Sequence, residues 1–243
     1  MRIATWNLDR PKRSKRRREN LVKFMATIEA DVWVLTETQH DLSPGNDFWR
    51  AAQSETAMDL EADEHWTAIW VRNVIEATQL RTRDAKRTAC LKIATSKGLP
   101  LLVYGTVLPW LGEPHVSLHS SEVYGAALAE QEKDWLEFRR LAPFARLCVV
   151  GDLNQDLLSG RHFYGSRARQ KFLREALERS GMTCLTGDQN DPVARRESGE
   201  ASIDHICIAG TVPENPNLRI WPEFGELGSG LTDHYGVAAD LWR

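Results

Sequence analysis

No run of about 18 apolar residues occurs in the 243-residue chain, so no segment reads as a membrane-spanning helix. Nor does a charged leader precede an apolar one. The chain opens on the strand-like "MRIATWNL", and a cytoplasmic protein is expected. Cysteine is scarce: Cys90, Cys148, Cys184 and Cys207 are scattered, form no CxxC pair and read as reduced thiols of the core. A chain of this length builds a sufficient core without disulfides or metal. Internal repeats, low-complexity tracts and Pro/Gly/Ser linkers are missing too, which leaves one domain over residues 1–243 as the expectation. Charge of one sign is also in short supply. A formal net charge of -3 argues against a protein that coats itself in nucleic acid.

What the chain does have is uneven charge and regular apolar punctuation. "PKRSKRRR" packs six cations into eight positions and "RTRDAKR" four into seven, so a polyanion could be met at one face. Short β-branched and aromatic runs recur from end to end: "RIATWNL", "DVWVLTE", "WTAIWV", "ACLKIAT", "LLVYGTVL", "RLCVVGDL", "SIDHICI" and "YGVAADLW". Their length and composition predict strands. Helical spacing appears over Ser14 to Glu29, Ser121 to Leu141 and Gly165 to Ser180, the last closed by Gly181. "PWLGEPHVSLHSS" reads as a long loop with Pro and Gly breakers. Many strands with few helices fit two sheets packed face to face under outer helices, because each sheet has two faces to cover.

Polar residues gather where the strands end. In "VVGDLNQDL" a buried apolar strand finishes in Gly, Asp and Asn, either as an Asx turn or as groups offered to a ligand. Asn7 and Glu37 end the first two strands, Asp204 and His205 interrupt "SIDHICI", and Asp233 and His234 precede the last strand. Singly, each has an ordinary reading as turn residue, helix cap or surface histidine. Glu37 resists it, since a carboxylate buried after "VWVLT" without a partner costs several kcal/mol. Together the set suits phosphoester hydrolysis. Oxygen ligands such as Glu37, with Asn7 or Asp233, suit Mg2+ or Mn2+, and an imidazole held by a carboxylate, His234 against Asp204, can activate water.

Five motifs, "TWNL", "LTETQ", "GDLNQD", "SIDHI" and "LTDHYGV", span residues 5 to 237, and in this order they resemble the endonuclease/exonuclease/phosphatase superfamily of deoxyribonuclease-type phosphoesterases. The resemblance implies an α/β, four-layered αββα sandwich of two packed mixed sheets, with the active site at one edge. It implies Glu37 as principal metal ligand, helped by Asn7 and Asp233. Asp152 becomes the carboxylate that handles a proton, Asn154 the amide that orients nucleophile or phosphate, and Asp204 with His234 the family's Asp and His pair. One departure stands out. The family's middle-strand "N-x-H-L" is matched by "VYGTVLPW", with Gly105 and Val107 at the Asn and His places. Tyr104, His115 and His119 are candidates to replace that histidine. The spacing of His115 and His119 also invites a zinc reading, which lacks the Glu of H-E-x-x-H.

The expected substrate is nucleic acid, gripped by Lys12, Arg13 and Arg16 beside Asn7, with Trp110 and Tyr164 as candidates to stack bases. The alternative is a small phosphorylated molecule, and a non-catalytic binding module is the third reading. No counterpart of the "GYSGVA"-like segment of abasic-site repair enzymes is present; "HWTAIWVRN" is a poor match. No sign of an obligatory protein partner or of a membrane-binding helix is found.

Overall fold

The computed structural model of the chain describes residues 1–11, 14–56, 61–95, 98–112, 120–196, 199–211, 216–222 and 231–242. Two six-stranded sheets stack face to face. The first runs β11-β12-β1-β2-β4-β3 and the second β5-β6-β7-β8-β10-β9. Their inner strands are β1 (Arg2–Asn7), β2 (Val32–Gln39), β4 (Glu64–Arg72) and β12 (Gly236–Asp240) in one, and β6 (Thr88–Ile93), β7 (Leu101–Val107), β8 (Arg146–Asp152) and β10 (Asp204–Ala209) in the other. These are the eight apolar runs of the sequence. The remaining strands, β3 (Phe48–Gln53), β5 (Ala77–Leu80), β9 (Met182–Cys184) and β11 (Leu218–Trp221), are the four sheet edges.

Each sheet is mixed for the same reason. A helix carries the chain from β1 to its parallel neighbour β2, and another carries it from β7 to its parallel neighbour β8, while every other pairing is antiparallel. The first crossover helix, α1 (Lys15–Ala26), is capped by Ser14, whose hydroxyl accepts from the Arg17 amide at 3.3 Å. The second is α2 (Ser120–Leu141), and α3 (Arg167–Arg179) packs beside it. Gly181 follows α3 with φ +58°, as its sequence position requires.

Three apolar layers hold the stack together. Ile3, Val34, Ile69, Val103, Val150 and Ile206 meet between the sheets. Leu128, Trp135, Leu173 and Leu177 of α2 and α3 cover the outer face of the second sheet, and Leu21 and Met25 of α1 cover the first, over Trp6, Trp33 and Trp221. The order is therefore α, β, β, α. The sheets come close at Gly105, where a Cβ would lie 2.7 Å from Thr67 Cγ2 and 2.9 Å from Val34 Cγ1. All four cysteines are free. Among the described residues no helix is long and apolar enough to cross a membrane.

Candidate active site

The parallel strands β1 and β2 end side by side, and β8 ends opposite them in the other sheet, which brings Asn7, Glu37 and Asp152 together. The Asn7 amide nitrogen donates to Glu37 Oε1 at 3.0 Å and to Asp152 Oδ2 at 2.9 Å, while its oxygen accepts from the Asp9 amide at 2.9 Å. Glu37 is held in the left-handed region, φ +46°, a conformation that costs a non-glycine residue energy and is kept where the surroundings dictate it. Its second oxygen accepts from Arg10 Nε at 3.0 Å.

In "VVGDLN" the strand ends in a turn closed on its own aspartate, which also faces Asn7. Gly151 has φ +140° and passes so close to β7 that a Cβ would sit 2.0 Å from the Thr106 carbonyl oxygen. Asp152 then accepts from the Asn154 backbone at 2.8 Å and from the Asn154 amide at 3.0 Å, and the same amide nitrogen donates to the Leu108 carbonyl at 2.9 Å. Asp156, in the same motif, has a different task. Buried, it accepts from the backbone amides of Phe163 and Tyr164 at 2.9 Å each and fixes the loop before α3.

The Asp204 and His234 pair forms as expected, with His234 Nδ1 donating to Asp204 Oδ2 at 2.7 Å. Trp6 Nε1 binds the His234 carbonyl at 3.1 Å, and the Thr232 hydroxyl, which donates to the Asn7 carbonyl at 2.8 Å, accepts from the His234 amide at 3.3 Å. Asp233 is exposed, its carboxylate 3.9 Å from His234 Nε2. Beside the pair opens a cleft of about 130 Å³ lined by Asp204, Asp233 and His234 with Phe163 and Tyr235.

Electrostatics tune the cluster. Burial, together with the neighbouring Asp204 carboxylate, pushes the Asp152 carboxyl up to about 7 against the pull of His234. For His234 burial opposes the cation, yet the Asp204 and Asp152 carboxylates raise it to about 10. Asp152, Asp204 and His234 each bring a ligand atom to within 4.8 Å of the others, and Asp204 Oδ1 is buried with no hydrogen-bond partner among the described residues. An orphaned carboxylate oxygen in an oxygen-rich cluster fits a hard divalent cation.

The other candidates divide. Tyr104 does not reach the cleft: it is fully buried under α2, packs edge-on to Trp135 and donates its hydroxyl to Asp134 at 3.0 Å, because it points to the outer face of its sheet. Lys12, Arg13, His115 and His119 lie outside the described residues. Arg16 is exposed on the first turn of α1. Two neighbours in the same basic run are engaged in the fold: Arg17 binds the carbonyls of Leu231 and Leu8, and Arg18 pairs with Asp41 at 2.5 Å. Tyr164 is half-buried, its carbonyl accepting from Gln155 Nε2 at 2.8 Å. Trp110 is half-buried and packs on Trp66, ring centroids 5.6 Å apart, with Val107 completing a small apolar cluster. Sequence reasoning missed Arg10, three residues after Asn7, and saw Arg87 only as part of the basic run "RTRDAKR"; both lie over the Trp66 ring.

A stacked pair of mixed sheets with acid, amide and imidazole side chains converging where their central strands end defines the phosphoesterase class of sandwich. The model of the Endonuclease/Exonuclease/phosphatase family matches residues 4–234, and the chain belongs to that family. Among solved structures it is similar to the endonuclease domain of TRAS1, a telomere-specific non-LTR retrotransposon, with TM-score 0.68 and 17% identity, covering 99% of this chain and 97% of that one. It is similar also to the 3' phosphatase NExo from Neisseria bound to a product DNA hairpin, with TM-score 0.67 and 16% identity over 100% of both chains. An AP endonuclease from Archaeoglobus fulgidus gives TM-score 0.66 at 13% identity over 99% of each chain. No curated protein matches the sequence.

Proposed function

We propose that the protein is a Mg2+- or Mn2+-dependent phosphodiesterase that cleaves nucleic acid. The observation that carries the reading is the junction of Glu37 and Asp152 through one Asn7 amide, next to the Asp204 and His234 pair. Glu37, with Asp233 at the rim, would hold the cation, which when bound neutralises charge developing on the phosphoryl oxygens. The oxygen of water forms a bond to phosphorus and the bond to the leaving oxygen breaks. Asp152, with its carboxyl near neutrality, takes or returns a proton of water or leaving group. Asn154, its nitrogen spent on Asp152 and the Leu108 carbonyl, turns its oxygen to orient nucleophile or phosphate. His234, fixed through Nδ1 by Asp204, presents Nε2 to the phosphoryl group.

Nucleic acid is favoured as substrate because the proteins of similar fold include an endonuclease domain and a phosphatase bound to DNA. The purified protein should hydrolyse bis-p-nitrophenyl phosphate with Mn2+ or Mg2+ and lose that activity in EDTA. Inertness with both metals would leave a binding module as the better account.

A further inference from the structure

Trp66 on β4 is fully buried, and two guanidinium groups converge on its ring. The Cζ of Arg10 lies 4.7 Å from the ring centroid and that of Arg87 lies 5.2 Å away. Stacking of this kind restricts where an arginine's nitrogens can point. Arg10 arrives from the β1 side, with φ +38°, and anchors itself by Nε on Glu37; among the described residues its side chain makes no second hydrogen bond, so both outer nitrogens remain as donors. Arg87 arrives from the other sheet, just before β6, its carbonyl accepting from the Thr67 hydroxyl at 2.7 Å and from the Val107 amide at 3.3 Å. Trp110 leans on the same indole from the loop after β7 and keeps part of its own ring in solvent.

This assembly adjoins Glu37 but is not needed to organise Asp152, Asp204 or His234. It adds positive charge beside the carboxylates, which repel a polyanion. A guanidinium fork matches a phosphate oxygen pair, and an aromatic face beside it matches an unpaired base. We propose that Arg10, Arg87 and Trp110, arranged on Trp66, form a subsite for the phosphate and base flanking the scissile linkage, so that the substrate is a single-stranded stretch of nucleic acid and not a free nucleotide. The proposal rests on the phosphodiesterase reading above.

The test separates the two. Binding of a fluorescent single-stranded oligonucleotide is followed by anisotropy in EDTA, where no chemistry is required, at about 50 and about 200 mM salt. Arg87→Gln should weaken binding by about tenfold and reduce the slope of log affinity against log salt by about 0.7, one lost phosphate contact on a single strand. Trp110→Ala should weaken binding about tenfold with the salt slope unchanged, since stacking releases no counterions. With Mn2+, the ratio of kcat/KM on the oligonucleotide to that on bis-p-nitrophenyl phosphate should fall about tenfold in both variants. Unaltered binding in both variants, or equal losses on both substrates, overturns the subsite. A wild-type protein inert toward bis-p-nitrophenyl phosphate sinks the hydrolase reading, and the binding arm still decides the subsite. Should Arg87→Gln fail to fold, Arg87→Lys keeps the charge and should preserve the salt slope while losing affinity; wild-type affinity in Arg87→Lys and Trp110→Ala together is the overturning result.

Discussion

Two histidines, one half-buried and one fully buried, flank the same end of β10 and live by different rules. His234 meets a carboxylate through Nδ1 and turns Nε2 to a cleft. His205, next in sequence to that carboxylate, points to the opposite face of the strand. Its Nε2 lies 3.0 Å from the Gln155 carbonyl and its Nδ1 3.0 Å from the Thr186 hydroxyl, with Cys184 Sγ at 3.5 Å. The Thr186 oxygen also accepts from the Ile206 amide at 3.1 Å, so every polar atom of the His205 ring is spent inside the fold; burial opposes its cation, yet the neighbouring Cys184 sulfur raises the ring to about 9. One ring is held by a carboxylate beside a cavity; the other is locked on both nitrogens by partners inside the fold. An acid partner and an open side distinguish the residue fit for chemistry.

The sharpest way to break that contrast is substitution on the cleft side. Asp152→Asn and His234→Ala should each lower kcat by about 10²–10⁴ with the far-ultraviolet circular dichroism unchanged. Near wild-type turnover in either would remove that residue from the mechanism. Glu37→Gln comes next: Mn2+ affinity measured by titration calorimetry should fall by at least about tenfold. On the other side of β10, His205→Ala should cost about 1–3 kcal/mol in denaturant unfolding, because Gln155 and Thr186 lose a buried partner, while kcat stays within a few-fold. A loss of activity matching that of His234→Ala would erase the distinction.

The smallest effect concerns pH. An acid whose folded pKa is raised binds its proton more tightly when folded, so Asp152 penalises folding as pH climbs from its ordinary value of 3.8 through about 7. His234, raised from 6.5 to about 10, contributes stability that is complete below 6.5 and fades as pH rises through 10. In EDTA the melting temperature should therefore fall from pH 5 to pH 9, and Asp152→Asn should flatten the part below neutrality. An unchanged slope in that variant would mean that Asp152 titrates elsewhere.

The eight inner strands were legible because they are buried on both faces and carry continuous apolar runs. The four edges were not. Leu218–Trp221 and Ala77–Leu80 alternate weakly, are partly exposed and pair on one side only, so position in the sheet, which local sequence does not encode, makes them strands. At the site, Asn7, Glu37, Asp152 and Asn154 stood out because they close apolar runs, and Asp204 and His234 because they stand at the head of one. Their contacts did not. Nothing in "NLDR" says that Arg10 lands on an indole from β4, and nothing in "VYGTV" says which face of β7 takes Tyr104.

Asn7 gives one hydrogen atom of its amide to an acid in each sheet. The gap between the two layers is thereby written into the spacing of the reacting groups. A side chain too large at Gly105, deep between the layers, would spread them and be felt as misaligned chemistry well before the chain lost its shape.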